Sequence, residues 1–378
     1  MIETDTALGT ALKLRASRQE LVDKVGVVAR AVSTRGAVQI LGGILLRAEG
    51  STLTLAATDM ELSLRSTLEA QVESEGSAVV PGRVLLDIVR QLPSGADEVT
   101  LTYQTGEHAL ELVCGSANFR LHTFSAEDFP RLPIQEVGET FSVERATFLE
   151  TVSRVSRAAS RDESRPVLTG ILVRFASGSV VMAATDSYRL SVKETTVGGN
   201  LPDLEAIIPA RALTELGRLA TSGDTIEVGV QDNQVVFSMD AAILTTRRID
   251  GQFPNYKQLL PETFEFELAL PRAELLDIVR RTSVMAQRNS PLRLRFADGA
   301  LTVSAQTQDV GEARESLPVA FTGEPLEIGF NAEFLRDGVE SIDAEGLTLK
   351  LINPLRPAVL TGDADDPTYL LMPIRLAG

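Results

Sequence analysis

Arg18-Gln-Glu-Leu-Val-Asp-Lys-Val-Gly-Val-Val-Ala-Arg30, Arg145-Ala-Thr-Phe-Leu-Glu-Thr-Val-Ser-Arg-Val-Ser-Arg157 and Arg272-Ala-Glu-Leu-Leu-Asp-Ile-Val-Arg-Arg-Thr-Ser-Val284 open three long segments built alike. Shorter signals return with them. Pro81-Gly-Arg-Val-Leu-Leu-Asp-Ile-Val-Arg90 recurs as Pro209-Ala-Arg-Ala-Leu-Thr-Glu-Leu-Gly-Arg218, and Ala57-Thr-Asp59 recurs as Ala184-Thr-Asp186. The spacing is close to a third of the 378-residue chain, so the repeating unit is a domain and not a short solenoid repeat. The expected divisions are an N-terminal extension at 1–11 and three similar domains at 12–136, 137–263 and 264–378.

Each unit reads as two halves, a helix followed by extended segments. Leu21, Val25, Val28, Ala29 and Val32 fall at helical spacing, which predicts a helix over 17–33. Ile44–Ala48, Leu53–Ala57 and Leu62–Leu68 then read as strands divided by turn residues. A second helix, 82–92, follows Pro81 and stops before Pro93. Val99–Tyr103, Ala109–Val113 and Phe119–Thr123 complete the unit as strands. The same reading places helices at 143–161, 209–220, 271–288 and 331–342. Strand-rich units with two helices each predict an α+β class, with antiparallel sheets covered on one side by helices.

The composition excludes several functions. No run of eighteen apolar residues and no N-terminal signal is present, so the expectation is a soluble, cytoplasmic protein with no membrane partner. The single cysteine, Cys114, has no disulfide partner and reads as a small buried hydrophobe. There is no phosphate-binding Gly loop, no His-Glu-x-x-His pair and no nucleophile elbow, and His108 and His122 have no counterparts in the other units. The reading is therefore a non-enzyme without cofactor or metal. The Thr-Asp pairs at 58–59 and 185–186 read as Asx turns, because no second acidic cluster stands beside them.

Charge is distributed unevenly. The net charge is −16, yet the six predicted helices hold sixteen basic and eleven acidic residues, which leaves −21 on the rest. Arg154, Arg157 and Arg161 share one face of their helix, opposite the apolar Phe148, Leu149, Val152 and Val155. Lys24 and Arg30, and Arg280, Arg281 and Arg288, are placed similarly, and Arg35, Arg165 and Arg288 stand where each first helix ends. Similar modules joined head to tail make a ring or a filament. Twelve helices from two chains enclose a hole of about 28 Å, wide enough for a hydrated duplex, whereas six leave about 9 Å. A basic wall binds phosphates without reading bases. A peptide-binding scaffold that never forms a ring, and an enzyme acting on DNA, are the alternatives.

Several segments in order resemble the beta subunit of bacterial DNA polymerase III, the sliding-clamp family. They are Ile40-Leu-Gly-Gly-Ile-Leu-Leu46, Pro166-Val-Leu-Thr-Gly-Ile-Leu172, Ala184-Thr-Asp-Ser-Tyr-Arg-Leu190, Asp250-Gly-Gln-Phe-Pro-Asn-Tyr256 and Tyr369-Leu-Leu-Met-Pro-Ile-Arg-Leu376. The resemblance covers residues 12–376. It implies a non-catalytic processivity factor, a ring-shaped homodimer around double-stranded DNA, placed there by a clamp loader and tethering the polymerase catalytic subunit and other proteins with clamp-binding motifs. It implies a partner-peptide groove at Leu168, Thr185, Ser187, Tyr188, Arg189, Leu190, Pro254, Leu259, Asn331, Phe334, Leu355, Pro357 and Leu370 to Leu376, the last run being Leu370, Leu371, Met372, Pro373, Ile374, Arg375 and Leu376. DNA contacts are expected at Lys24, Arg30, Arg35, Arg83, Arg154, Arg157, Arg161, Arg165 and Arg288, and dimer contacts at Phe119, Leu121 and Val284. Ser187-Tyr188 stands where some members have Gly-His, Gln258 replaces a basic residue of some, and the third unit has Ala305-Gln-Thr-Gln308 in place of Ala-Thr-Asp.

Overall fold

The computed structural model describes residues 10–34, 38–132, 140–197, 201–219, 222–231, 233–239, 242–286, 290–308 and 310–376. Its helices are α1 (Arg18–Val28), α2 (Gly82–Arg90), α3 (Arg145–Val155), α4 (Pro166–Thr169), α5 (Ala210–Leu219), α6 (Arg272–Ser283) and α7 (Ala332–Ser341). Each of the six long ones is shorter than its apolar spacing predicts. The last turns of the first and third are 3₁₀ segments, Ala29–Ala31 and Ser156–Ala158. Helix starts follow local chemistry: Ser17 accepts from Glu20 N at 3.4 Å, and Asn331 from Phe334 N at 3.1 Å. Pro209 does not enter its helix; it ends the strand Leu204–Pro209.

Within the observed bounds the helices hold twelve basic and ten acidic residues, a much smaller excess than the predicted bounds give. Arg30 and Arg157 lie in the 3₁₀ turns just past α1 and α3, and Arg161 beyond them. Cations are favoured there by the exposed carbonyls of a helix end.

Each first helix also has a strand before it, where a helix-first unit predicts none: Thr10–Ser17, Thr140–Glu144 and Phe266–Pro271. Thr10 and Ala11, expected in a loose extension, already pair, with Gly76 and Gln104 respectively. A third departure is the strand Leu62–Pro81, 20 residues long where only its first seven were expected. Its polar middle, Ala70 to Gly76, is held by pairing with Thr10–Ser17.

The chain packs as two compact units, one of Met1–Ser142 with Arg218–Arg247 and one of Val143–Gly217 with Arg248–Gly378. In the first, neighbouring antiparallel strands run Ala117–His122, Ala109–Cys114, Glu98–Gln104, Thr10–Ser17, Leu62–Pro81, Ala242–Arg247, Gln234–Met239, Thr225–Val230. Leu21, Val25 and Val28 of α1 and Leu85 and Val89 of α2 are buried, and α1 packs on both α2 and the sheet. In the second unit one sheet runs Leu204–Pro209, Gly170–Ala176, Ser179–Thr185, Arg189–Thr196, Thr368–Leu371, Ala358–Thr361, Gly346–Leu351, Phe266–Pro271. A second sheet runs Gly311–Pro318, Ala300–Thr307, Leu292–Ala297, Leu326–Phe330.

Each unit contains a joint between repeats, and the two joints are alike. Leu62 lies opposite Thr246 in one and Arg189 opposite Leu371 in the other. Beside them, Arg247 N–H donates to Glu61 O at 3.1 Å and Met372 N–H to Tyr188 O at 2.8 Å.

Candidate functional site

The segments expected to form a partner groove meet at the second joint, whose construction starts at the Thr185-Asp186 turn. Asp186 Oδ1 accepts from the backbone N–H of Tyr188 at 2.9 Å and of Arg189 at 3.0 Å, while Thr185 Oγ1 donates to Arg189 O at 2.6 Å. This forces Ser187 to φ +79°, a left-handed conformation that a non-glycine residue adopts only when neighbouring bonds impose it. Tyr188 is thereby lifted to 61% exposure. Thr58-Asp59 builds the same turn, with Met60 at φ +79° and Asp59 Oδ1 accepting from Glu61 and Leu62. Both pairs are thus Asx turns, as their sequence implies.

Tyr188 O receives Met372 N–H, which draws the C-terminal segment alongside the turn. Ile374 N–H donates to Gly329 O at 2.7 Å. A side chain at Gly329 has no room, because its Cβ position is 2.6 Å from Leu376 Cδ2. Beneath the turn, Leu190, Leu370 and Val359 form one buried cluster and Leu172, Ala183, Ile207 and Phe253 another, with Tyr256 and Val192 packed against both. Tyr188, Leu259, Leu355, Met372 and Ile374 remain exposed. Isolated exposed apolar residues are ordinary; five from the segments implied for one groove suit a surface that buries a partner's apolar anchors.

Not every expected groove residue is open to a ligand. Leu371 is 1% exposed and belongs to the core. Asn331 caps α7. Arg189 is buried: its Nε donates to Asp186 at 3.0 Å, its Nη1 to Asp337 at 2.6 Å, and its guanidinium lies 4.2 Å from the Phe334 ring centroid. Burial alone lowers its pKa, but the fields and hydrogen bonds of Tyr369, Asp337 and Asp186 outweigh that and hold it above its ordinary value. Burial raises the Tyr369 phenol. Its hydroxyl donates to Phe334 O at 3.0 Å.

The expected DNA-facing cations sort differently. Arg154 has only 14% of its side chain exposed; it pairs with Glu150 at 3.1 Å and Asp343 at 3.2 Å and donates to Ser341 O at 3.0 Å. It is an interior tie, because the short helix α3 packs against α7 at that point. Arg165 also departs from expectation. Its Nη1 donates to Ser187 Oγ at 3.0 Å and its Nε to Asp162 at 3.3 Å, which holds it beside the Thr185-Asp186 turn. Arg157 is half exposed and pairs with Glu340 and, at 3.5 Å, Asp337. Arg161 is 89% exposed, 3.7 Å from Glu333. Lys24 is partly exposed, and Arg30 and Arg83 are exposed, in the other unit. Arg35 and Arg288 lie outside the described residues.

Asp337 and Glu340 had no sequence signal beyond being acidic residues on the predicted helix 331–342. Both hold arginines from elsewhere: Glu340 takes Arg157 and, at 2.8 Å, Arg280. Burial raises the Glu340 carboxyl, but the two arginines outweigh it and hold it below its ordinary range. Phe119 is partly buried and Leu121 buried on the strand Ala117–His122, and Val284 is 77% exposed at the end of α6. His108 and His122 are exposed, and Cys114 is buried with its thiol pushed up by that burial. Among the described residues no group of three His, Cys, Asp or Glu is placed to hold a metal, and no helix is long and apolar enough to cross a membrane.

Comparison with known proteins adds a consistent pattern. Models of the N-terminal, central and C-terminal domains of the DNA polymerase III beta subunit match residues 12–133, 142–255 and 257–375. The beta sliding clamp of Streptomyces coelicolor is 35% identical over 381 residues, covering 97% of this chain and 100% of that protein. That of Synechococcus elongatus is 33% identical at 97% and 100% coverage. Among solved structures, a Caulobacter crescentus beta sliding clamp superposes with a TM-score of 0.90 at 29% identity, covering 97% of this chain and 100% of that one. The Pseudomonas aeruginosa sliding clamp bound to griselimycin gives 0.86 at 28% identity, with 97% and 100% coverage.

Proposed function

This chain belongs to the DNA polymerase III beta subunit family, whose function is that of a non-catalytic sliding clamp, and from that premise we propose how its own residues close the ring, face DNA and hold partners. Two copies associate head to tail into a homodimer around double-stranded DNA in the cytoplasm. Each copy contributes three domains, divided at 12–136, 137–263 and 264–378.

The observation that carries this reading is the repeated joint. Within the chain, the fourth strand of one repeat twice pairs with the last strand of the next: Leu62–Pro81 with Ala242–Arg247, and Arg189–Thr196 with Thr368–Leu371. One fourth strand and one last strand are left at the ends of their sheets, Gly311–Pro318 and Ala117–His122. They are the pieces of a third joint that only a second copy can supply, and closure removes two exposed edges.

Its register follows from the repeats. The hairpin turns Ser177-Gly178 and Asp298-Gly299 share positive φ values. Counting from them through the pairs Ser179 with Thr196 and Ala300 with Pro318 makes Gly311 the counterpart of Arg189. The matched hairpins Cys114/Ala117 and Met239/Ala242 make Leu121 the counterpart of Thr246. Gly311 therefore faces Leu121, Glu312 faces Arg120 and Ala313 faces Phe119. Charges and faces agree: Arg120 and Glu312 are exposed, whereas Phe119 and Ala313 are partly buried on the opposite face. Val284 occupies in the third repeat the place of Arg157 in the second, which reaches across its joint to α7. It therefore belongs to the same contact.

Lys24, Arg30, Arg35, Arg83, Arg157, Arg161 and Arg288 are assigned to the phosphates, and Arg154 and Arg165 are withdrawn from that role. Arg165 joins Leu168, Ser187, Tyr188, Leu259, Leu355, Met372 and Ile374 at the groove, which takes the clamp-binding segments of the polymerase catalytic subunit, the clamp loader and other partners. The first test is mass in solution followed by retention on DNA. A particle of about 81 kDa, twice the 40.7 kDa chain, that stays on closed circular duplex and leaves after linearisation supports the ring. A monomer, or equal loss from both substrates, refutes it.

A further inference from the structure

Helix α7 stands between the two surfaces just assigned, and one of its side chains touches both. Asp337 has 10% of its side chain exposed. Oδ2 accepts from Nη1 of Arg189 at 2.6 Å, beneath the groove, and Oδ1 lies 3.5 Å from Nη1 of Arg157, on the face assigned to phosphate. Arg189 in turn spans the Asp186 turn that raises Tyr188, the ring of Phe334 and the Tyr369 hydroxyl at 3.4 Å. The helix is held close over this cluster: a Cβ on Gly338 falls 2.7 Å from the Tyr369 ring. Arg157 is also tied to Glu340, which Arg280 shares, so the outer part of the network has charge to exchange while the inner part is locked.

We propose that Asp337 is a positioning residue shared by the groove and the DNA face, so that phosphate binding at Arg157 tightens the groove's hold on a partner peptide carrying apolar anchors. The step is an exchange of counter-charges. In the free protein Asp337 divides its acceptance between two guanidinium groups. When a phosphate oxygen takes Arg157, the carboxylate is left to Arg189, and that short charge-assisted bond strengthens. Arg189 then fixes the Asp186 turn and Phe334, and the groove loses less freedom on binding. By linkage the peptide must tighten duplex binding by the same factor. Because Arg157 is half exposed, the factor is modest, roughly two- to fivefold.

The inference rests on Arg157 being a phosphate contact, and the test separates the two claims. The probes are a fluorescein-labelled peptide with Leu and Phe anchors, read by anisotropy, and a 30-base-pair duplex at low salt. In the wild type, saturating duplex lowers the peptide Kd by roughly two- to fivefold. In Arg157→Gln the carboxylate is already left to Arg189, so the peptide binds at the tighter value without duplex and duplex adds nothing. In Asp337→Asn peptide binding is weak with or without duplex. An unchanged peptide Kd in Arg157→Gln, or an equal duplex effect in the wild type and Asp337→Asn, overturns the coupling. If Arg157→Gln binds duplex as well as the wild type does, the phosphate assignment of Arg157 fails, and the coupling with it, while the groove reading stands. Should Asp337→Asn fail to fold, the Arg157→Gln comparison decides alone.

Discussion

Reversing Arg120 to Glu tests the third joint at the pair its register defines. Arg120 is 63% exposed and is already paired within its own chain to Glu107 at 2.8 Å, so in the proposed dimer its link to Glu312 of the second copy is a rim interaction of about 0.5–1 kcal/mol. Reversal replaces that attraction by a repulsion of similar size, about 1–2 kcal/mol per interface. Opening a two-fold ring into monomers breaks two such interfaces, so the dimer weakens by about 2–4 kcal/mol, roughly 30- to 1,000-fold in Kd. Sedimentation or single-particle mass measurement across nanomolar to micromolar concentrations, at low salt, reads the change. Glu312→Arg alone should weaken the dimer to a similar extent, and the double reversal should restore most of the affinity. The control is the register itself. A slip of one residue turns every side chain to the other face, so the next permitted registers are two residues away and place Arg120 opposite Val310 or, in the other direction, opposite Arg314. In the latter case Arg120→Glu strengthens the dimer. Stronger association, or singles and double alike in effect, refutes the alignment of the repeats.

Met372→Ala should weaken peptide binding by about 1–2 kcal/mol, roughly tenfold in Kd, with the dimer mass unchanged; a lost dimer shows the residue to be structural. Arg165→Ala should weaken the same peptide and leave retention on circular DNA as it was, the reverse of what a phosphate contact gives. Glu340 has a lowered pKa in the fold, so its contribution is fully present above its ordinary value of 4.5 and fades as pH falls below that value through the folded one. Glu340→Gln should therefore flatten the acid limb of a plot of thermal midpoint against pH below about pH 5, and an unchanged limb discounts the Arg157 and Arg280 pairing. Gly338→Ala normally gains about 1 kcal/mol in a helix. Here its methyl meets the Tyr369 ring and Leu360 within 3 Å, so a net loss of about 1–3 kcal/mol is expected in thermal unfolding.

The repeats were legible because apolar spacing and turn residues are local properties. Thr58-Asp59 and Thr185-Asp186 announce their turns within four residues, and the structure builds both alike. What escaped was set at long range. Ala70 to Gly76 is too polar to announce a strand, and its pairing with Thr10–Ser17 makes it one. The pattern Leu12-Lys-Leu-Arg-Ala16 alternates as a strand should, but its five residues are a weaker signal than the helical spacing that follows. Arg154 and Arg165 look like members of a solvated basic row when only their own helix is considered. Their partners Asp343 and Ser187 lie far along the chain. Asp337 and Arg189 are 148 residues apart, so no window of sequence holds both.

The burial of Cys114 gives the protein a use as a chemical blank. With its one thiol 1% exposed and its pKa raised, the chain offers a thiol reagent almost no thiolate on its surface. Cysteines placed at positions 120 and 312 therefore face little competition for each other. In an antiparallel pair their Cα atoms lie about 5 Å apart, within disulfide range. Oxidation of such rings on a nicked circle produces a covalently closed band threaded by the nucleic acid, a catenane that boiling in detergent leaves intact and a reductant releases.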